Sequence, residues 1–224
     1  MIFPGTGDFI NIHTHGEESS PGIFIVENLM AHEGLLPGNL PGTAFSFGIH
    51  PWFLNEENSV RLLNLVRDNI VNPWVVAVGE AGFDKLRGPS LDLQYKIFCG
   101  QVKIAEDFSK PVFIHCVRAW DELLAAYKEL KPKTKWIVHG FRGSRELAAQ
   151  LLSKGFYLSF WFDFIIRPES SELIRSLPLT RIFLETDGAD IDIREIYYKV
   201  AADLKIPVDD LKKIMIDNFN AIFR

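Results

Sequence analysis

The sequence is poor in the features that would place a chain outside the cell, in a membrane or along bulk nucleic acid. It has only two cysteines, Cys99 and Cys116, without metal-type spacing. They build no disulfide framework, and a reduced, cytoplasmic compartment is the expectation. There is no excess of basic residues: 24 Lys and Arg face 29 Asp and Glu, a net charge of −5. That excludes nonspecific binding of nucleic acid over the whole surface, but not a local basic patch. No apolar run is long enough to span a bilayer. The longest aromatic-apolar stretch, Phe156–Ile166, is interrupted by Ser159 and Asp163. Residues Met1 to Asn11 lack a basic segment followed by a cleavable apolar stretch, so no signal peptide is expected. Repeats, low-complexity segments and interdomain linkers are also missing, and residues 1–224 are expected to form one domain.

What is present is a series of short apolar runs separated by helix-like segments. Eight strands are predicted: Asp8–Ile12, Ile23–Leu29, Ala44–Ile49, Trp74–Val78, Pro111–Ile114, Lys135–Val138, Tyr157–Phe160 and Arg181–Leu184. Several are continuously apolar, as in parallel strands buried on both faces. Helices are predicted over Ser59–Ile70, Leu91–Phe108, Ala119–Leu130, Arg145–Ser153, Arg194–Leu204 and Val208–Phe223. Ser90 and Ser144 are candidate N-caps, and Gly155 is a candidate stop. This alternation predicts an α/β fold, a compact (β/α)₈ barrel with its site at the C-terminal ends of the strands. The links after the first two strands look too short or too rich in Gly and Pro for full helices.

Polar, metal-competent side chains close these runs. His13 and His15 follow the first, His50 the third, Glu80 the fourth, His115 the fifth, His139 the sixth and Asp187 the eighth. In the H-x-H pair, positions i and i+2 point the same way, so both imidazoles can converge on one cation. Glu80 lies between Gly79 and Gly82, which predicts a tight turn after the strand and a carboxylate able to bridge two ions. Asp187 can ligate a metal and take a proton from water. Glu185, two residues earlier, is expected to support the site rather than bind metal. A lone strand-end His is more often structural than a ligand, but successive ones reverse that balance. Mixed nitrogen and oxygen donors suit Zn, Mn or Fe better than Mg or Ca. Four His and two carboxylates exceed the three protein ligands of one catalytic zinc, which suggests a two-metal site.

Seven short stretches, in order, carry a family resemblance. They are His13-Thr14-His15, Gly48-Ile49-His50-Pro51-Trp52, Gly79-Glu80-Ala81-Gly82-Phe83-Asp84 and Pro111-Val112-Phe113-Ile114-His115, followed by His139-Gly140-Phe141-Arg142-Gly143, Leu184-Glu185-Thr186-Asp187 and Asn218-Phe219-Asn220-Ala221. The chain resembles the TatD-family metal-dependent hydrolases, deoxyribonucleases within the amidohydrolase superfamily. The resemblance implies a (β/α)₈-type barrel. It also implies metal ligands at His13, His15, Glu80, His115, His139 and Asp187, and a substrate-contacting His50. Asp187 and Glu80 become the catalytic carboxylates. One or two divalent ions per chain, Zn, Mn or Mg, are the expected cofactors. DNA, single-stranded or at an end, is the expected substrate and partner, cleaved by a metal-activated water. Three departures stand out. Asn11 replaces the family's usual Asp, Gly188-Ala189-Asp190 replaces its usual Pro, and Arg118 lies one position beyond its usual Arg.

Lys85, Arg87, Arg118, Arg142 and Arg145 follow three of the site positions and would form a positive rim. Of these, Lys85, Arg118 and Arg142 are expected to hold phosphate with His50. Any one of them alone reads as ordinary solvated surface. The stretch from Phe156 to Phe164 could stack bases, but a buried strand and helix start is the stronger reading, and Trp52 and Trp120 fit better as pocket walls. A superfamily hydrolase acting on a small ester, amide or phosphoester would use the same metal residues. A non-catalytic barrel would be expected to lack a ligand, and none is missing.

Overall fold

The computed structural model describes residues 3–34 and 36–224. Strands β1 (Phe9–Thr14), β2 (Ile23–Met30) and β3 (Thr43–Gly48) come first, with no helix between them among the described residues, as the Gly- and Pro-rich links predict. Then helices and strands alternate: α1 (Ser59–Asn69), β4 (Val75–Asp84), α2 (Leu91–Asp107), β5 (Val112–Val117), α3 (Trp120–Leu130), β6 (Trp136–Val138), α4 (Arg145–Ser153) and β7 (Tyr157–Trp161). The chain ends with α5 (Phe162–Ile165), α6 (Pro168–Ser176), β8 (Ile182–Glu185), α7 (Ile193–Leu204) and α8 (Val208–Phe223). The eight strands follow one another in chain order in one sheet, and each pairing described is parallel.

The predicted boundaries hold to within a residue or two except at the ends of β4 and β5, and β5 runs three residues past the predicted Ile114. β4 does not stop at Val78 but runs to Asp84, with all ten residues buried. Glu80 therefore lies inside a strand, not in a turn after it. The flanking glycines are used differently from the prediction. A β-bulge between Val78 and Ala81 absorbs the irregularity, and pairing with β5 resumes at Ala81, opposite Ile114. Gly82 has φ +153°, and a Cβ there would sit 1.9 Å from the His115 carbonyl oxygen. Only glycine lets the two backbones approach so closely beside His115. His115 likewise falls within β5 rather than beyond its end.

Two compact units are present. The first comprises Asn28–Asn39 and Phe45–Trp136. Its core packs Phe98 of α2 against Phe83 and Trp136, with ring centroids 4.8 and 5.2 Å apart. Ser90 caps α2 by accepting from the Leu93 N–H. Within α2, Gln94 and Gln101 lie two turns apart on one buried face. Each clamps a strand end through its backbone. Ile49 N–H donates to Gln101 Oε1 at 2.7 Å, and Gln101 Nε2 returns a bond to the Ile49 carbonyl at 3.1 Å. Asp84 N–H donates to Gln94 Oε1 at 2.8 Å, with the return bond at 3.0 Å.

The second unit comprises residues 3–27, Leu40–Ala44 and Ile137–Arg224. Phe24, Phe219 and Phe223 stack in its interior, with centroids 5.2 and 4.3 Å apart. The buried Tyr197 hydroxyl accepts from the Ile10 N–H at 3.1 Å and donates to the Ile10 carbonyl at 3.0 Å, fixing α7 on β1. Asn218 of α8 donates to the Leu179 and Ile182 carbonyls. Ser144 caps α4 as predicted, and Gly155 follows its end with φ +90°. The aromatic stretch forms β7 and then α5, the buried strand and helix start of the stronger reading. Among the described residues no helix is long and apolar enough to cross a membrane.

Candidate metal centre

In the first unit, three donors meet at the end of β3 and along β4 and β5. His115 Nδ1 lies 2.6 Å from Glu80 Oε1, and His50 Nε2 lies 3.2 Å from each of those two atoms. All three residues are buried. The Trp52 N–H donates to His50 Nδ1 at 3.1 Å. Nδ1 is thus an acceptor, and a neutral imidazole then carries its proton on Nε2. A ligating His ordinarily donates from its other nitrogen. His50 is therefore arranged to donate a hydrogen bond from Nε2, which suits contact with an anionic oxygen.

His115 is held differently. Its Nε2 faces Asp84 Oδ2 at 3.3 Å, leaving Nδ1 toward Glu80. A carboxylate behind an imidazole fixes its orientation and raises its basicity as a ligand. Asp84 is itself fixed by the Trp52 indole N–H at 2.6 Å and the Leu86 and Arg87 amides at 2.7 and 3.0 Å. Burial works against its ionisation, yet the bonds from Trp52, Leu86 and His115 outweigh that and hold Asp84 below the usual carboxylate range. Asp84 lies in a stretch that carries the family resemblance, but the residue pattern alone gave it no role. A signal was present: a buried Asp at a strand end, two residues beyond a glycine.

In the second unit, His13 Nε2 and His15 Nε2 each lie 3.6 Å from the same oxygen of Asp187. That is too long for a hydrogen bond. It is close to the spacing of two ligands sharing one ion at bonds of about 2 Å. The two rings stand nearly perpendicular with centroids 5.0 Å apart, and the His139 ring lies 4.4 Å from that of His13. Asp187 takes φ +52°, and its N–H donates to the His13 carbonyl at 3.2 Å, which ties the end of β8 to the end of β1. Asp is among the few non-glycine residues that adopt this conformation readily.

A buried polar net supports these residues. Asn11 donates to Glu17 Oε2 and Thr186 Oγ1, both at 2.7 Å, and accepts from the Thr186 N–H at 3.0 Å. Thr14 also donates to Glu17, at 2.8 Å. This accounts for the departure at position 11. An amide can donate to Glu17, whereas an aspartate there would repel it. Glu185 is fully buried, accepts from Ser159 Oγ and from the Gly140 N–H at 2.5 Å, and lies 3.8 Å from His139 Nδ1. It steadies the turn that carries His139.

The rim residues are partly committed elsewhere. Lys85 pairs with Glu122 at 2.7 Å, so its charge is shared rather than presented whole. Arg87 stacks over Trp52 at 4.0 Å. Arg142 stacks over Trp161 at 4.0 Å and lies 3.6 Å from Asp163. Arg118 is exposed, with φ +52°.

Both groups mix imidazole nitrogen with carboxylate oxygen, a donor set that fits Zn or Mn. The chemistry of the residues therefore suits a divalent ion.

The family model for TatD-related DNases matches residues 36–224. An uncharacterized metal-dependent hydrolase of Escherichia coli K12, YcfH, is 29% identical over 207 residues, covering 84% of this chain and 76% of that protein. A 3'-5' ssDNA/RNA exonuclease TatD of Erwinia tasmaniensis is 32% identical over 149 residues, covering 63% of this chain and 56% of that one. The crystal structure of the TatD homologue YjjV from Escherichia coli superposes with a TM-score of 0.78, covering 98% of this chain and 99% of that chain at 22% identity. The strand order, the alternation with helices and this likeness give the (β/α)₈-type fold expected from the sequence. With the matched model spanning most of its length, the chain belongs to the TatD-related DNase family of hydrolases.

Proposed function

We propose that this protein is a divalent-metal-dependent nuclease that hydrolyses phosphodiester bonds in DNA, with single strands or strand ends as its substrate. The observation that carries the reading is the clustering of imidazole and carboxylate donors, His50–Glu80–His115 in one unit and His13–His15–Asp187 in the other, within a chain of the TatD-related DNase family. His13, His15, Glu80, His115, His139 and Asp187 would hold one or two ions. A bound divalent ion supplies Lewis acidity and a nucleophilic water near neutral pH. Asp187, part-exposed and anchored through its backbone, would accept the proton of the attacking water. His50 would donate its Nε2 proton to a phosphate oxygen. Arg118 and Arg142 would add charge-assisted bonds to phosphate, and Lys85, shared with Glu122, would contribute mainly field. The likeness to the 3'-5' ssDNA/RNA exonuclease of Erwinia tasmaniensis supports the single-stranded preference. We place the enzyme in the cytoplasm, acting as one TatD-like domain.

The test is to measure bound metal and then assay Zn, Mn and Mg against single-stranded DNA, duplex DNA and bis(p-nitrophenyl) phosphate. Cleavage of single strands ahead of duplex is expected. Turnover of the small diester with no cleavage of any DNA would move the assignment to a small-molecule hydrolase.

A further inference from the structure

Beside the His139 turn, within the second unit, lies a cavity of about 470 Å³ that shares only Arg142 with the site described above. This is the size of a small-molecule pocket. Its lining includes Arg142, Arg145 and Arg167. They are not equivalent. Arg167 is oriented by Asp163, donating to its carboxylate at 2.6 Å and its backbone carbonyl at 3.1 Å. Arg142 is oriented by Trp161 and by the same carboxylate. Arg145 is exposed at the first position of α4. The start of α4 itself offers little to a ligand, because Ser144 Oγ already takes the Leu147 N–H. The guanidinium groups therefore carry the attraction for an anion.

The remaining lining narrows the ligand. Glu169 and Glu172 project from α6, and Phe164 and Leu173 supply the apolar surface. A lining that holds both cations and carboxylates disfavours a simple anion. It suits a molecule with a phosphate at one end and hydroxyl or amino donors at the other. The lining is also built rather than incidental. A Cβ at position 143 would come within 2.6 Å of the Phe141 ring and 2.7 Å of a Leu147 methyl, so the loop bearing Arg142 and Arg145 is packed closely on these side chains. Arg142 lies three positions after His139, a reach of at most about 11 Å along the chain. A strand of a few nucleotides can therefore engage both.

We propose that this cavity is a second nucleotide subsite, which binds the phosphate and sugar-base unit of a residue next to the scissile bond. The proposal rests on the nuclease reading above. It predicts that affinity for a short oligonucleotide depends on Arg145, far from any candidate metal ligand in its chemistry.

The experiment measures binding of fluorescein-labelled pentathymidylate in EDTA by anisotropy, across a salt series, for wild type, Arg145→Ala and Arg145→Lys. Circular dichroism monitors folding, and the exposed site makes Arg145→Ala a benign change. Arg145→Ala should weaken binding at least fivefold. It should also reduce the slope of log affinity against log salt by about 0.7, the value for one single-strand phosphate contact. Arg145→Lys should keep the slope while losing part of the affinity. With metal restored, kcat/KM for the pentamer should fall at least tenfold more than for bis(p-nitrophenyl) phosphate. Unchanged affinity and slope in Arg145→Ala, while wild type still cleaves DNA, overturns the subsite and leaves the nuclease reading intact. Wild type that neither binds nor cleaves any DNA overturns both, and that failure is visible before any variant is made.

Discussion

The two donor groups are built to different standards of rigidity. His50, Glu80 and His115 are buried and 2.6–3.2 Å apart, and their strand ends are clamped by Gln94 and Gln101. His15 and Asp187 are 30% and 23% exposed at the side chain and lie 3.6 Å apart, on loops just beyond β1 and β8. The first group holds its geometry through the packing of a helix against strands. In the second, His13 is fully buried, but water can reach His15 and Asp187. A hydrolase needs fixed charges to stabilise the transition state and an accessible base to pass a proton to solvent. We propose that the buried group serves the first need and Asp187 the second.

The largest expected effect tests that division. Asp187→Asn should lower kcat for single-stranded DNA by about 10²–10⁴-fold, the range for loss of a general base, with little change in KM. Glu80→Gln should reduce both activity and bound metal, because it removes a ligand and leaves His50 and His115 without their anionic partner. Metal analysis beside steady-state kinetics separates the two. If Asp187→Asn loses as much metal as Glu80→Gln, its fall in kcat is that of a lost ligand rather than a lost base, and the division fails.

A smaller effect is expected behind the buried group. Asp84→Asn removes the charge that orients His115, and metal affinity should fall by about 10–100-fold with the fold intact. Competition with a chelating dye measures this. Asn11→Asp makes the matching change in the second unit. It restores the family's usual residue but sets two carboxylates, positions 11 and 17, within 2.7 Å of contact geometry. This variant should be less stable in urea than wild type, and the simultaneous change Glu17→Gln should recover the loss.

The sequence made the strand-end residues legible because chemistry concentrates them: imidazoles and carboxylates are uncommon directly after apolar runs. It made α2 legible through its period and its Ser90 cap, and α4 through Ser144 and Gly155. The supports were less visible. Gln94 and Gln101 look like polar interruptions of an amphipathic face, because their partners are backbone groups of Asp84 and Ile49, which leave no trace in residue identity. The run from Val78 to Gly82 reads as the end of a strand because glycine usually breaks a ladder. Here the bulge lets the ladder resume, and Glu80 gains burial that no local pattern announces. The role of Asn11 depends on Glu17 and Thr186, one of them distant in sequence. Helix α6 begins with Pro168 at its first position, a valid start, but the following Ser170 and Ser171 weaken the helical signal. The (β/α)₈-type fold, in contrast, followed from alternation alone.

Removing a glutamine clamp should cost about 1–3 kcal/mol, because a buried N–H and carbonyl lose their partners together. Gln101→Leu, measured by urea unfolding, should show this. It should also raise KM more than it lowers metal content, since Ile49 immediately precedes His50 and follows no candidate metal ligand.

The smallest effect reads the stiffness of the first unit directly. Cys116 follows His115 in β5, and burial pushes its thiol up to about 12. The reactive thiolate is thus nearly absent at pH 8, and labelling of this part-buried thiol by a disulfide reagent is expected to be slow unless the strand opens. The linkage has a definite sign. A thiol with a raised folded-state pKa contributes stability that is complete below its unfolded value near 8.5, and that is lost as pH rises from there toward about 12. Cys116→Ser should therefore flatten the decline in stability across that alkaline window, and have little effect at pH 7 through ionisation. Labelling of Cys116 should be slow and should slow further when Zn or Mn is added, if that ion is held by the neighbouring His115. Rapid labelling at pH 8, insensitive to metal, would show that β5 opens freely and that the buried group is no stiffer than the exposed one.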